Sequence, residues 1–386
     1  MNSITTHVCL VSDQPAPNLL PLLDESLKPQ RVVLLVTPQM KDKATYLERV
    51  IAPMGIKVET IALDAAENFD DIQDKLLNLL TQEQSANIAL NATGGTKWMV
   101  IAAQDVFRVN GSPVFYVSIE NDTLLFLGAQ QKPRKLQQLI NLETFLKSYG
   151  YSVIGDSKPQ GLPSEQKELC QQLVLKVSEW GGALGQLNYL AALAGERSNL
   201  RIPVSELKQD NDSHLKALLA EFQAAGLLQE SDKGIVHFSD ASSRAFANGG
   251  WLEAYVNSLL NKLKVDGLLQ DSARINLRVK NASNTSNEID VAFMANNHFH
   301  IIECKTKRFV GNQAGTALTE SLYKLDSIST LGGLGTRSML VSYRELGKAD
   351  RIRASDLRIK VIEASAIQNL QSHLKQWIQR PVIDSK

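Results

Sequence analysis

The sequence predicts an α/β protein in three parts: a mostly parallel N-terminal sheet, a central winged-helix-like segment and a C-terminal α/β domain. Three observations predict it. Apolar strand runs alternate with helical patterns from residue 7 to about residue 130, as βαβ units do. A helix, a glycine and a short hairpin follow one another between residues 213 and 238. From residue 249 a new helix opens a series of strands.

A chain of 386 residues holds two or three domains. We expect these at 1–150, 151–248 and 249–386. The 41 acidic and 41 basic residues cancel, which excludes a histone-like polycation and confines any nucleic-acid contact to a local patch. The N-terminal residues lack a basic stretch followed by an apolar core, and no apolar run is long enough to span a bilayer. A cytoplasmic protein with no membrane partner is therefore expected. Cys9, Cys170 and Cys304 are too scattered for a disulfide framework or a zinc cluster.

In the first part, His7–Ser12, Arg31–Thr37, Lys57–Leu63, Asn87–Asn91 and Pro113–Ile119 are predicted strands. The helices between them are predicted over Lys41–Ala52, Phe69–Leu80 and Thr96–Val109, and a closing hairpin strand over Thr123–Leu127. Ligands of open parallel sheets bind beyond the carboxyl ends of the strands. Here those ends are Ser12-Asp13-Gln14-Pro15, Thr37-Pro38 and Asn91-Ala92-Thr93-Gly94-Gly95-Thr96-Lys97. The glycines let backbone approach an anion, and Lys97 at a helix start opposes the helix dipole unless an anion is bound. A plain strand-to-helix turn has the same composition, and the spacing is neither a P-loop nor a dinucleotide fingerprint.

Gly155–Pro163 has the composition of a linker. Ser164 is the expected N-cap of a helix over Glu165–Trp180 ended by Gly181-Gly182. The winged-helix pattern has a helix over 213–226, with Ser213 as cap and Gly226 as stop, and then a hairpin turning at Ser231–Gly234. His214 and Lys216 could meet a phosphate, although Glu221 shares their helix, and a spacer that packs two domains together is the plainer reading.

The last part is predicted as a helix over Trp251–Val265, strands at Ala273–Val279, Ile289–Met294 and Phe299–Lys305, a helix over Ala317–Ser329, a strand at Arg337–Val341 and a final helix over Ala364–Gln379. A two-residue turn at Asn296-Asn297 would set residue 290 opposite residue 303. Opposed side chains share a face with Cβ atoms roughly 4.5–5.5 Å apart. Asp290 and Glu303 would then be a carboxylate pair, with Lys305 on the same face and Cys304 on the other. Two such carboxylates repel unless a cation lies between them. Hard oxygen ligands favour Mg²⁺ or Mn²⁺ as that cofactor, and the lysine can orient water or offset transition-state charge.

An Asp followed by Glu-x-Lys on the next strand resembles the PD-(D/E)xK, restriction-endonuclease-like nucleases. Ile289 stands where the literal motif has proline. By the same resemblance Glu253, on the preceding helix, becomes a third metal ligand, although an ordinary exposed helical glutamate would look the same. The following helix offers Glu320, Tyr323 and Lys324.

Taken with Asn91–Lys97, the chain resembles the CRISPR ancillary nucleases that carry an N-terminal CARF (CRISPR-associated Rossmann) domain. The resemblance implies a Rossmann-like sensor sheet, a winged-helix-like middle and a restriction-endonuclease-like C-terminal domain. It implies a homodimer that binds cyclic oligoadenylate, cyclic tetra-adenylate by analogy, across its two-fold axis. Ser12, Asp13, Thr37, Thr93, Gly94, Gly95, Thr96 and Lys97 would line that ligand. Asp290, Glu303 and Lys305 would cleave single-stranded DNA or RNA. The competing expectations are a sensor with a DNA-binding winged helix and no catalysis, and a constitutive repair-type nuclease.

Overall fold

A computed structural model describes residues 4–82, 87–128, 132–137, 140–157, 161–207, 213–306 and 312–379. The N-terminal part runs β1 (Thr6–Leu10), α1 (Ala16–Leu23), β2 (Arg31–Val36), α2 (Lys41–Ile51), β3 (Lys57–Ala62), α3 (Phe69–Thr81), β4 (Ile88–Asn91), α4 (Lys97–Val109), β5 (Val114–Ser118), β6 (Thr123–Phe126) and β7 (Arg134–Lys135). Its sheet has the order β3-β2-β1-β4-β5-β6-β7, parallel through β5 and antiparallel beyond.

Helices cover both faces, so the central strands are mainly apolar on both sides rather than alternating, with Thr6, His7 and Asn91 as buried exceptions. Val8, Leu10, Val33 and Leu35 pack against Ile72 and Leu76 of α3 and Met99 and Phe107 of α4. Cys9, Val32 and Leu34 pack against Leu19 and Leu20 of α1 and Leu47 and Ile51 of α2. Strand order reverses between β1 and β4, and that reversal opens a crevice at their carboxyl ends.

The chain continues through α5 (Leu142–Ser148), β8 (Ser152–Ser157), α6 (Ser164–Leu175), α7 (Val177–Glu196), β9 (Arg201–Pro203), α8 (Leu215–Ala224), β10 (Leu228–Glu230), β11 (Ile235–Phe238) and α9 (Ala241–Ala245). The small sheet β10-β11-β9 beside α8 has the winged-helix arrangement.

Two expectations for this stretch are corrected. The segment read as the start of a linker contributes β8, which pairs with β12 of the C-terminal sheet. Gly181-Gly182 does not end a helix; α7 runs through it. A Cβ at Gly181 would lie 2.6 Å from the Arg344 guanidinium, so glycine there serves a close approach rather than a stop.

The last part holds α10 (Trp251–Val265), β12 (Arg274–Lys280), β13 (Ser286–Ala295), β14 (His298–Lys305), α11 (Asn312–Ser329), β15 (Arg337–Ser342), α12 (Lys348–Asp356), β16 (Lys360–Glu363) and α13 (Leu370–Gln379). The sheet order is β16-β15-β14-β13-β12-β8, with a parallel step from β14 to β15 and from β15 to β16. Val291, Phe293 and Ile302 face Leu252 and Val256 of α10 and the central helices. Ala292, Met294 and Ile301 face Leu322 and Leu325 of α11. Phe145 of α5 joins that second core and meets the Phe299 ring at 5.4 Å, so sensor and C-terminal sheet are packed together.

Candidate functional site

Asn296 and Asn297 both have positive φ, 50° and 55°, as a two-residue primed turn requires of its central residues. The turn sets Ala295 against His298, and the ladder continues to Val291 against Ile302. The next position up the hairpin places 290 opposite 303, as predicted. Asp290 and Glu303 are 9% and 2% exposed, so both carboxylates lie in a poorly solvated setting. Asp290 Oδ2 accepts the Cys304 N–H at 2.8 Å. Lys305 Nζ lies 2.5 Å from Glu303 Oε1.

A second ammonium comes from α11. Lys324 Nζ lies 3.0 Å from Glu303 Oε2 and 3.9 Å from Asp290 Oδ1. Its place was legible only as one of several polar residues on the following helix; the tertiary packing of α11 on the sheet singles it out.

Burial, reinforced by the Glu303 charge, pushes the Asp290 carboxyl up to about 6. Glu253, on α10, lines the same cavity, and burial together with the Asp290 charge pushes it up to about 8. Burial works against the Lys305 ammonium, but the charges of Glu303 and Asp290 outweigh it and leave its pKa raised. The surroundings therefore favour added positive charge next to these carboxylates. Hard oxygen donors of this kind suit Mg²⁺ or Mn²⁺. Among the described residues no three His, Cys, Asp or Glu side chains close on one point. Glu253 lines the same cavity as Asp290 and Lys305, on the helix from which the resemblance takes a third ligand.

The cavity measures about 490 Å³ and is lined by Arg244, Asn248, Glu253, Asn276, Asp290 and Lys305 among others. Its size falls within the range of ligand sites, ~300–1,000 Å³. Arg244, Asn248 and Asn276 carry no motif in the sequence.

At the sensor crevice the predicted residues sit at neighbouring strand ends but divide in role. The Thr93 hydroxyl bonds Asn91 Oδ1 at 2.7 Å and accepts the Val117 N–H at 2.8 Å, so it braces the loop. Gly94 lies against the Leu10 carbonyl and leaves no room for a Cβ, and Gly95 has φ +77°. Thr96 caps α4 by accepting the Met99 N–H. Thr37 is buried at the end of β2. Ser12 is half-buried, and exposed Asp13 pairs with Lys43 of α2 at 3.6 Å. Lys97 is exposed at the first turn of α4. The Ser12 hydroxyl exchanges long hydrogen bonds with the Gln14 backbone at 3.4 Å, so Lys97 and the loop backbone are the groups best placed to meet an anion. In the winged-helix-like part, His214 precedes α8, and Lys216 lines a shallow hollow with Gln223 and Glu230. No helix among the described residues is long and apolar enough to cross a membrane.

The geometry is that of a Rossmann-like α/β domain packed against a second sheet that carries a buried carboxylate–lysine cluster. Residues 6–145 match the family model for the Card1 CARF domain, and residues 240–380 match that for the Card1-like endonuclease domain. Protein VC1899 from Vibrio cholerae is similar at 29% identity, with a TM-score of 0.87, over 98% of this chain and 99% of its own. Can2 from Sulfobacillus thermosulfidooxidans, solved in complex with cyclic tetra-adenylate, is similar at 28% identity and a TM-score of 0.80, over 98% of both chains. A type III CRISPR defence DNA nuclease activated by cyclic oligoadenylate shares the fold at 20% identity and a TM-score of 0.55, over 89% of this chain and 46% of its own. Among curated proteins no match is found.

The chain belongs to the family of CARF-domain nucleases related to Card1 and is an endonuclease. A regulator without catalysis is thereby set aside.

Proposed function

We propose that the protein hydrolyses phosphodiester bonds of single-stranded DNA or RNA at Asp290, Glu303 and Lys305. It is a cyclic-oligoadenylate-activated nuclease of CRISPR-linked defence. The observation that carries the assignment of residues is the pairing of two buried carboxylates across the β13–β14 hairpin, with Lys305 Nζ 2.5 Å from Glu303. Asp290 and Glu303 would hold Mg²⁺ or Mn²⁺, with Glu253 of the same cavity as a third ligand. Such a cation, when bound, lowers the pKa of its water and withdraws charge from the phosphoryl group. Lys305 orients the attacking water or offsets the charge that develops on the phosphate. Lys324 balances Glu303 from the other side.

The activator is cyclic tetra-adenylate, held at the β1 and β4 loops with Lys97 near a phosphate and the α4 N-terminus favouring negative charge. A homodimer would set two such crevices across a two-fold axis. Trp98 and Ile101 of α4 are 57% and 56% exposed next to the crevice, which suits them to such a contact. Activation requires that the ligand bind the cutting state better than the resting one.

The test is cleavage of labelled single-stranded DNA and RNA in Mn²⁺, with and without cyclic tetra-adenylate, beside Glu303→Ala. Cleavage that needs the activator and is lost in Glu303→Ala is expected. Equal cleavage without activator would make the protein a constitutive nuclease, and cleavage retained in Glu303→Ala would move the site elsewhere.

A further inference from the structure

The cavity above Asp290 and Lys305 has two walls whose construction the carboxylate chemistry does not explain. One is β12. Asn276 has φ +50° inside this strand, while Ile275 pairs with Val291 and Leu277 with Ile289. That register stands Asn276 directly opposite Asp290. On its other side the pairing with β8 slips between Ile275 and Arg278, as at a bulge. Left-handed backbone is unfavourable for a non-glycine residue, asparagine least, and bulges beside active sites re-aim a side chain. The strained position is the cross-strand neighbour of the catalytic Asp290, and its side chain lines the cavity.

The other wall is the π-helical turn Phe246–Gly250 between α9 and α10. Gly249 has φ +122°, and a Cβ there would lie 2.5 Å from the Thr306 hydroxyl, so the turn is pressed onto the end of β14. Asn248, in that turn, lines the cavity and keeps a buried Oδ1 without a hydrogen-bond partner. A buried acceptor without a partner is destabilising, and a ligand donor would satisfy it. Arg244 of α9 is close by, threaded past Gly195 and anchored by donating to the Ala191 carbonyl at 3.2 Å. It pairs with no carboxylate among the described residues, and its planar fork suits a phosphate.

We infer that this cavity binds the nucleotide next to the scissile phosphodiester. Arg244 takes that nucleotide's own phosphate, and the Asn248 and Asn276 carboxamides bond donor and acceptor groups of its nucleoside. A phosphate diester offers only acceptors, so the donor that the Asn248 oxygen needs comes from a base edge or a sugar hydroxyl. The enzyme therefore carries a nucleotide preference at one position beside the cut. This rests on the nuclease reading above and adds the specificity of the same site.

The test is end-sequencing of the products that activated protein makes from randomised single-stranded DNA and RNA pools in Mn²⁺, together with kcat and KM on one cleaved oligonucleotide. The variants are Asn276→Gly, which tolerates the positive φ, and Asn248→Ala, with thermal melting to establish folding. Wild type is expected to show a bias at one position next to the cut. Both variants should flatten that bias and raise KM on the order of 10-fold while kcat changes less. An unchanged bias and KM in folded variants, or no bias in wild type, overturns the inference and leaves the nuclease standing. A wild type that cuts nothing with activator bound removes both.

Discussion

The Tyr149 hydroxyl donates to Gln14 Oε1 at 3.2 Å, joining the loop after β1 to the residue that follows α5. Both groups press on Gly333, whose φ of +68° and lack of a Cβ let the turn before β15 fit beneath them; a Cβ would meet the Tyr149 oxygen at 2.7 Å. β15 pairs with β14 at Glu303. The loop after β1 and strand β14 are therefore joined through Gln14, Tyr149 and Gly333. Tyr149→Phe is expected to leave activator affinity within about threefold while cutting ligand-stimulated turnover about fivefold, the equivalent of one hydrogen bond of ~1 kcal/mol. Calorimetric binding beside turnover at saturating activator checks it. Equal loss of both would mean a folding defect rather than a coupling.

Glu303→Ala is expected to lower cleavage by at least ~100-fold while the sensor domain still binds its nucleotide. In wild type, millimolar Mn²⁺ should raise the melting temperature, because a cation bound only by the native state stabilises it. The same addition to Glu303→Ala should give a much smaller shift. Equal shifts in the two proteins would place the cation elsewhere.

Three buried imidazoles govern the acid limb of stability. Burial lowers His7 and His298 to about 4 and His300 well below its ordinary value. Between pH 6.5 and 4 the unfolded chain binds protons that the native protein refuses, so stability is lost as pH falls through that window. His7 alone, with neither ring nitrogen partnered and its ring 5.1 Å from Phe115, accounts for on the order of 3 kcal/mol. His7→Phe should be more stable than wild type at pH 7, and the gap should widen towards pH 4.5 in melting curves. A gap that stays constant with pH would show that His7 takes up its proton at the same pH in the native and the unfolded protein.

Asn297 holds the catalytic hairpin to the sensor, its Nδ2 donating to Asp122 Oδ1 at 3.1 Å in a buried setting. Asn297→Ala removes that bond and puts alanine in a left-handed turn position, so a loss of roughly 2–4 kcal/mol is expected in denaturant unfolding. Asn297→Gly keeps the turn and should lose only the side-chain bonds, which include those that Oδ1 accepts from Gln270 Nε2 at 3.3 Å and from the Ile140 N–H at 3.5 Å. Identical losses would mean that the turn conformation contributes nothing.

Trp98→Glu on the exposed face of α4 is expected to convert a dimer to a monomer in light scattering and to weaken activator binding at least 10-fold. A dimer that survives the change would place the two-fold contact on another face.

The local pattern of the chain set the strand and helix alternation of the sensor, because strands buried on both faces are predominantly apolar. It also determined the β13–β14 register, because a two-residue Asn-Asn turn leaves one pairing and thereby sets Asp290 opposite Glu303. It did not reveal α1, whose eight residues contain Pro17 and Pro21, or α12, whose polar run Lys348–Asp356 has no apolar stripe. Only the tertiary structure decided that β8 belongs to the C-terminal sheet, that α7 passes through Gly181-Gly182, and that Thr93 braces its loop. Only it brought Lys324, Arg244, Asn248 and Asn276 to the carboxylates. The physical reason is range: period and turn chemistry act within a few residues of chain. Which helix carries a cation to a buried charge, and which glycine admits a guanidinium, depends on contacts between segments tens to hundreds of residues apart.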